Sequence, residues 1–224
     1  VQRPVPETDA VFGCPDLGAR VSGAIDGLDP VNEGLDVDVH VVLDVALLLR
    51  DRLEAAYPDR SIVVSRSDDR YLTLEDRTNL ANGIETGANE SVIFISIHAN
   101  ASLNRNARGF EVWFLPPEFR RRNLVDAADV GVEDPDVLSI LNTIREEEIT
   151  IESVLLARNV LAGMASTIGD QSPNRGLREE SWYVVRNAIM PSILVEVGFV
   201  TNVVEAQRLA NREYLLRVTD GIYS

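Results

Sequence analysis

The chain holds two histidines, His40 and His98, and one cysteine, Cys14, so side chains able to act as nucleophile, general base or soft metal ligand are few. His98 stands in Ser96-Ile-His-Ala-Asn100 after an apolar run, where small polar neighbours open a crevice. A histidine in that setting is either a hydrogen-bonded structural group or a metal ligand or general base. Glu196 lies inside Ile193-Leu-Val-Glu-Val197. A carboxylate there is costly to bury unless an arginine pairs it, a metal binds it, or it serves as an acid/base group. His40 and Asp38 are two residues apart in the first turn of an expected helix, so their side chains diverge. Asp36 and Asp38 complement the positive end of that helix. Cys14 follows Gly13 in a loop with no basic neighbour and reads as an inert thiol.

The elements that must position these groups follow from apolar spacing. Val39, Val42, Leu43, Ala46, Leu49 and Leu53 recur every three or four residues and predict a helix from about Asp36 to Tyr57-Pro58. Ile62-Val63-Val64 reads as a short strand, and Thr73-Leu-Glu-Asp76 as a capping box opening a second helix. Ser91 to Ile97 is almost continuously apolar, as in a central strand covered on both faces. Gly109 to Leu115 alternates like a strand, Trp182 to Val185 and Ser192 to Gly198 read as the last strands, and Val203 to Val218 as a closing helix. Helical periods run through Pro135–Ile144 and Ile149–Ile168, with Glu146-Glu147-Glu148 as a solvated face. The first 35 residues, with four prolines and five glycines, show neither period and read as loop.

This alternation predicts one α/β domain over residues 1–224: three layers, a mostly parallel twisted sheet with helices on both faces, and a helical insertion at 118–168. In such sheets ligands bind beyond the carboxyl ends of strands, where His98 and Glu196 fall. Composition narrows the function classes. A net charge of −15 repels phosphate backbones and argues against a nucleic-acid partner. No apolar run is free of charges for the length of a membrane span, and one cysteine excludes a disulfide scaffold. All 21 basic residues are arginine, as a GC-rich coding sequence produces. The start at Val1 without a leader reads as an excised domain or a mature product.

Three ordered segments, Ser65 to Arg77, Phe94-Ile-Ser-Ile-His-Ala-Asn-Ala101 and Met190 to Asn202, resemble the zinc-dependent N-acetylmuramoyl-L-alanine amidases of the amidase-3 type. The resemblance runs from about Asp38 to Tyr214. It implies a cell-envelope protein, periplasmic or extracellular, whose partner is peptidoglycan and whose target is the amide between muramic acid and the first alanine. Arg122 to Ile168 resembles the helical insertion of the cell-division members, which blocks the site until an activator protein displaces it.

The family holds zinc through a His, a Glu and a second His, with a C-terminal glutamate as base. His98 matches the second His and Glu196 the base. Aligning Asp9 to Ala19 with the first-histidine motif puts Phe12 in the ligand position, and the metal-binding Glu becomes Asp38, with Glu33 as the alternative. Phe12 has no electron pair for zinc, and Asp38 is a methylene shorter than Glu. The resemblance thus implies a homologue with a degraded site, no stoichiometric zinc and little or no activity, acting in wall binding or regulation. The alternative is an active amidase with zinc on His98, Asp38 or Glu33, and His40.

Overall fold

The computed structural model describes residues 7–12, 37–87, 90–119 and 123–224, with the backbone alone for 7–12, 37–40 and 129. Its strands are β1 (Glu7–Phe12), β2 (Val63–Val64), β3 (Ile93–Asn100), β4 (Phe110–Phe114), β5 (Asn174–Glu179) and β6 (Ser192–Phe199). Its helices are α1 (Val37–Ala56), α2 (Leu74–Asn82), α3 (Ala127–Val130), α4 (Pro135–Ile168), α5 (Tyr183–Asn187), α6 (Val203–Leu209) and α7 (Arg212–Tyr223).

The strands form one sheet in the order β2-β1-β3-β6-β4-β5. β3 and β6, the most apolar segments, are central, and every residue of β6 is buried. On one face α1, α4 and α7 cover Ile95, Ile97, Val112, Ile193 and Val195. On the other, α2 and α5 bring Ala81, Val184 and Val185 against Phe94 and Leu194. Each of the larger side chains contributes about 1.5–3 kcal/mol on burial, so these two layers hold the strand ends in place.

The three-layer α/β architecture is the expected one, but the sheet is mixed rather than mostly parallel. β3–β6 and β4–β5 are parallel, whereas β1–β2, β1–β3 and β4–β6 are antiparallel. The nine residues from β3 to β4 contain no helix, and a parallel return requires a longer crossover.

Four local expectations need correction. A strand, β1, lies within the first 35 residues that read as loop. Trp182 to Val185 opens a one-turn helix, α5, because a four-residue apolar run fits either period. β5 replaces it as an edge strand whose charged, half-exposed sequence carries no apolar signature. The closing helix is two helices, broken where the Asn211 side chain caps the backbone N–H groups of Glu213 and Tyr214. The Thr73–Asp76 capping box is present with both of its reciprocal bonds.

The segment 118–168 is mainly α4, a 34-residue helix. Ile149, Ala157, Val160, Leu161, Met164 and Ile168 on its C-terminal half belong to the larger core layer. By length and composition α4 alone among the described residues qualifies as a membrane span, which the reading of charges along the chain did not anticipate. The buried face accounts for only part of its apolar content, since Val137, Ile140, Ile144, Ile151 and Leu155 of the same helix are exposed. Gly163 of α4 meets Gly221 of α7 backbone to backbone, so closely that a Cβ on Gly163 would collide with the carbonyl oxygen of Gly221.

Candidate active site

β3 and β6 run side by side with His98 in register with Glu196, so the imidazole and carboxylate leave neighbouring strands on one face of the sheet. Both are buried, at 3% and 7% exposure. The strand pairing slips just beyond them, between His98 and Asn100, where Asn100 pairs with Phe199. Such irregularities open a sheet at its working end. The Ser96 hydroxyl, two residues back on the same face, lies 2.5 Å from Nε2 of His98 and fixes the ring.

A residue the sequence reading did not single out completes the row. Glu111 of β4 is in register with Glu196 on the side away from His98, and it is buried at 2% exposure. Its Oε1 accepts a hydrogen bond from Nδ2 of Asn100 at 3.0 Å, a contact that spans β6. Its Oε2 accepts one from Nε of Arg175 at 2.8 Å, with Nε of Arg178 at 3.6 Å. The sequence signal was there: a glutamate inside Phe110-Glu-Val-Trp-Phe114, within a segment that reads as a strand, needs a partner as much as Glu196 does once that strand is buried.

Both arginines reach Glu111 because of a bulge in β5. Phe110 pairs with Asn174 and Val112 with Leu177, leaving one extra residue in β5, and Gly176 takes a φ of +91°. This brings Arg175 and Arg178, three apart in sequence, to one carboxylate. Behind them the buried Glu205 accepts from the backbone N–H groups of Gly109 and Phe199, both at 2.8 Å, and from the Ser172 hydroxyl at 2.6 Å. One carboxylate thereby ties together the start of β4, the end of β6 and the approach to β5.

The remaining sequence candidates are placed differently. Phe12 is in register with Ile93, five residues along β3 from His98, and the β1 residue in register with His98 is Glu7. The structure therefore does not bring the Phe12 backbone to the His98 row. Asp38 and His40 lie in the first turn of α1, with only their backbone described. Glu33 and Cys14 lie outside the described residues. Among the described residues no three His, Cys, Asp or Glu side chains converge as metal ligands do.

Comparison with known proteins gives this constellation a family. Residues 14–224 match the amidase-3 family model, described as N-acetylmuramoyl-L-alanine amidase. The uncharacterised protein YqiI of Bacillus subtilis is 31% identical over 208 residues, covering 92% of this chain and 77% of that protein. The N-acetylmuramoyl-L-alanine amidase LytC of the same organism is 27% identical over 96% of this chain, which spans only 34% of LytC. Among solved structures, the N-acetylmuramoyl-L-alanine amidase AmiC2 of Nostoc punctiforme superposes with a TM-score of 0.62 at 27% identity, covering 93% of this chain and 89% of that one. A family match across nearly the whole length, with sheet and helices following those of a solved amidase, means that this chain belongs to the N-acetylmuramoyl-L-alanine amidases of the amidase-3 type.

Proposed function

We propose that the chain is a peptidoglycan amidase homologue that binds the cell wall, or regulates active amidases there, with little or no hydrolysis of its own. The observation that carries this reading is the donor inventory. Family chemistry takes two histidines and a carboxylate for zinc, yet the chain has two histidines in all and one of them, His40, sits in α1. The described residues fit the metal poorly. Nε2 of His98 faces the Ser96 hydroxyl, and the Glu111 carboxylate is held by a guanidinium that competes with any cation. A catalytic zinc site takes three protein ligands and an open position for water, and loss of even outer-shell support weakens metal affinity about 10–100-fold.

What persists is a buried imidazole beside a buried carboxylate. In this reading Glu196 and His98 bind polar groups of the wall polymer, and the exposed N-terminal half of α4 serves an activator-type protein. The envelope is the site of action.

Zinc quantification on protein purified without chelators, together with co-sedimentation and dye release on purified sacculi, tests this. We expect far less than one zinc per chain, retention on sacculi and no dye release. Stoichiometric zinc, or a hydrolytic activity abolished by Glu196→Ala, would establish the active enzyme instead.

A further inference from the structure

We propose that Arg175 and Arg178 form a carboxylate-binding subsite beside Glu196, one that takes the acidic groups of a peptide. This rests on the reading of the chain as a peptidoglycan-binding amidase homologue and names the part of the polymer that the site holds.

Two guanidiniums share one carboxylate. Glu111 neutralises a single positive charge, and its Oε1 is already occupied by Asn100. Arg175 spends Nε on Glu111, places Nη1 3.5 Å from the Arg108 carbonyl, and lies with its guanidinium carbon 4.9 Å from the centre of the Phe199 ring. Stacking and ion pairing hold this fork still while a third of the side chain remains exposed. The Arg178 side chain makes no hydrogen bond among the described residues beyond that 3.6 Å approach, and it is 45% exposed.

The N–H groups that Glu111 leaves unused belong to side chains 34% and 45% exposed, and a planar fork of N–H groups suits the two oxygens of a carboxylate. It is also built rather than incidental. Without the extra residue and the positive φ at Gly176, strand alternation would send the two arginines to opposite faces. A buried Glu111 needs one arginine for neutrality, and the bulge supplies two. In a chain of net charge −15, such a partly exposed cationic pair next to the proposed binding residues suits an anionic ligand. Peptidoglycan supplies one in the free carboxylates of its stem peptides.

The test is calorimetric titration of the full chain with a MurNAc-tripeptide whose carboxylates are free and with the same muropeptide amidated. Three proteins are compared: the unaltered chain, Arg178→Gln and Arg178→Lys. The Arg178 side chain is exposed and makes no structural hydrogen bond among the described residues, so both variants should fold as the parent does. We expect the free acid to bind about tenfold more tightly than the amide, as charge-assisted bonds warrant. Arg178→Gln should erase most of that difference, Arg178→Lys should restore part of it, and rising salt should narrow it. Equal binding of acid and amide to the unaltered chain, or an unchanged ratio in Arg178→Gln, would overturn the subsite while leaving wall binding intact. Binding of neither muropeptide, with no retention on sacculi, would overturn the wall-binding reading and the subsite with it.

Discussion

Glu111 and its two arginines show how differently two similar ion pairs weigh on stability. Removing Arg175 strips a 2.8 Å partner from a carboxylate that is 2% exposed, whereas removing Arg178 breaks a 3.6 Å contact at a largely wet side chain. Loss of one partner from a buried pair costs about 3–5 kcal/mol, and a surface pair is worth below about 1 kcal/mol. We expect Arg175→Met to lower the unfolding free energy in urea by about 2–3 kcal/mol, since Arg178 can swing in as a partial substitute, and Arg178→Met by under about 1 kcal/mol. Similar losses from both variants would mean that the arginines share Glu111 equally. At the same scale, Nε and Nη2 of Arg70 bind the Asp68 carboxylate and draw its pKa down to about 2, with part of the effect coming from the backbone N–H of Arg70. A folded pKa below the unfolded value means that the stabilisation is present above about pH 4 and is lost as pH falls through about 2. An NMR titration of Asp68 should show that midpoint, and Arg70→Gln should move it upward.

Elements were legible in proportion to how apolar they are. β3 and β6 stand out by nearly continuous apolar runs, and they carry His98 and Glu196, so the placement of these two candidate residues could be read directly. β5 could not be read, because Asn-Arg-Gly-Leu-Arg-Glu is an edge strand whose arginines serve a carboxylate on another strand, a relation with no local signature. α5 was hidden by the opposite problem, an apolar run too short to show its period. The break between α6 and α7 was marked by Asn211, a capping residue overlooked within a longer apolar pattern. Because the Asn211 side chain faces two N–H groups of the α7 first turn, Asn211→Ala should cost about 1 kcal/mol in chemical denaturation, while Asn211→Asp should be nearly neutral. An Asn211→Ala variant as stable as the parent would mean that water caps α7 equally well.

At the scale of the whole molecule, the contact of α4 with α7 joins the buried half of the 34-residue helix to the last helix of the chain. Glycine to alanine in a helix interior ordinarily stabilises by about 1 kcal/mol. Here the added methyl would press on the backbone of Gly221, so Gly163→Ala should instead lower the melting temperature, by several degrees. A higher melting temperature would show that α4 and α7 can part at no cost. The order of the strands has a consequence for how the chain comes into being. β6 lies between β3 and β4 yet is synthesised after every other strand, so until residues 192–199 leave the ribosome the sheet exists only as two separate pieces, β2-β1-β3 and β4-β5. A nascent chain stalled before Ser192 carries His98 on one piece and Glu111 with its two arginines on the other, with no edge in common, so the imidazole and the arginine-bound carboxylate are joined only when β6 arrives.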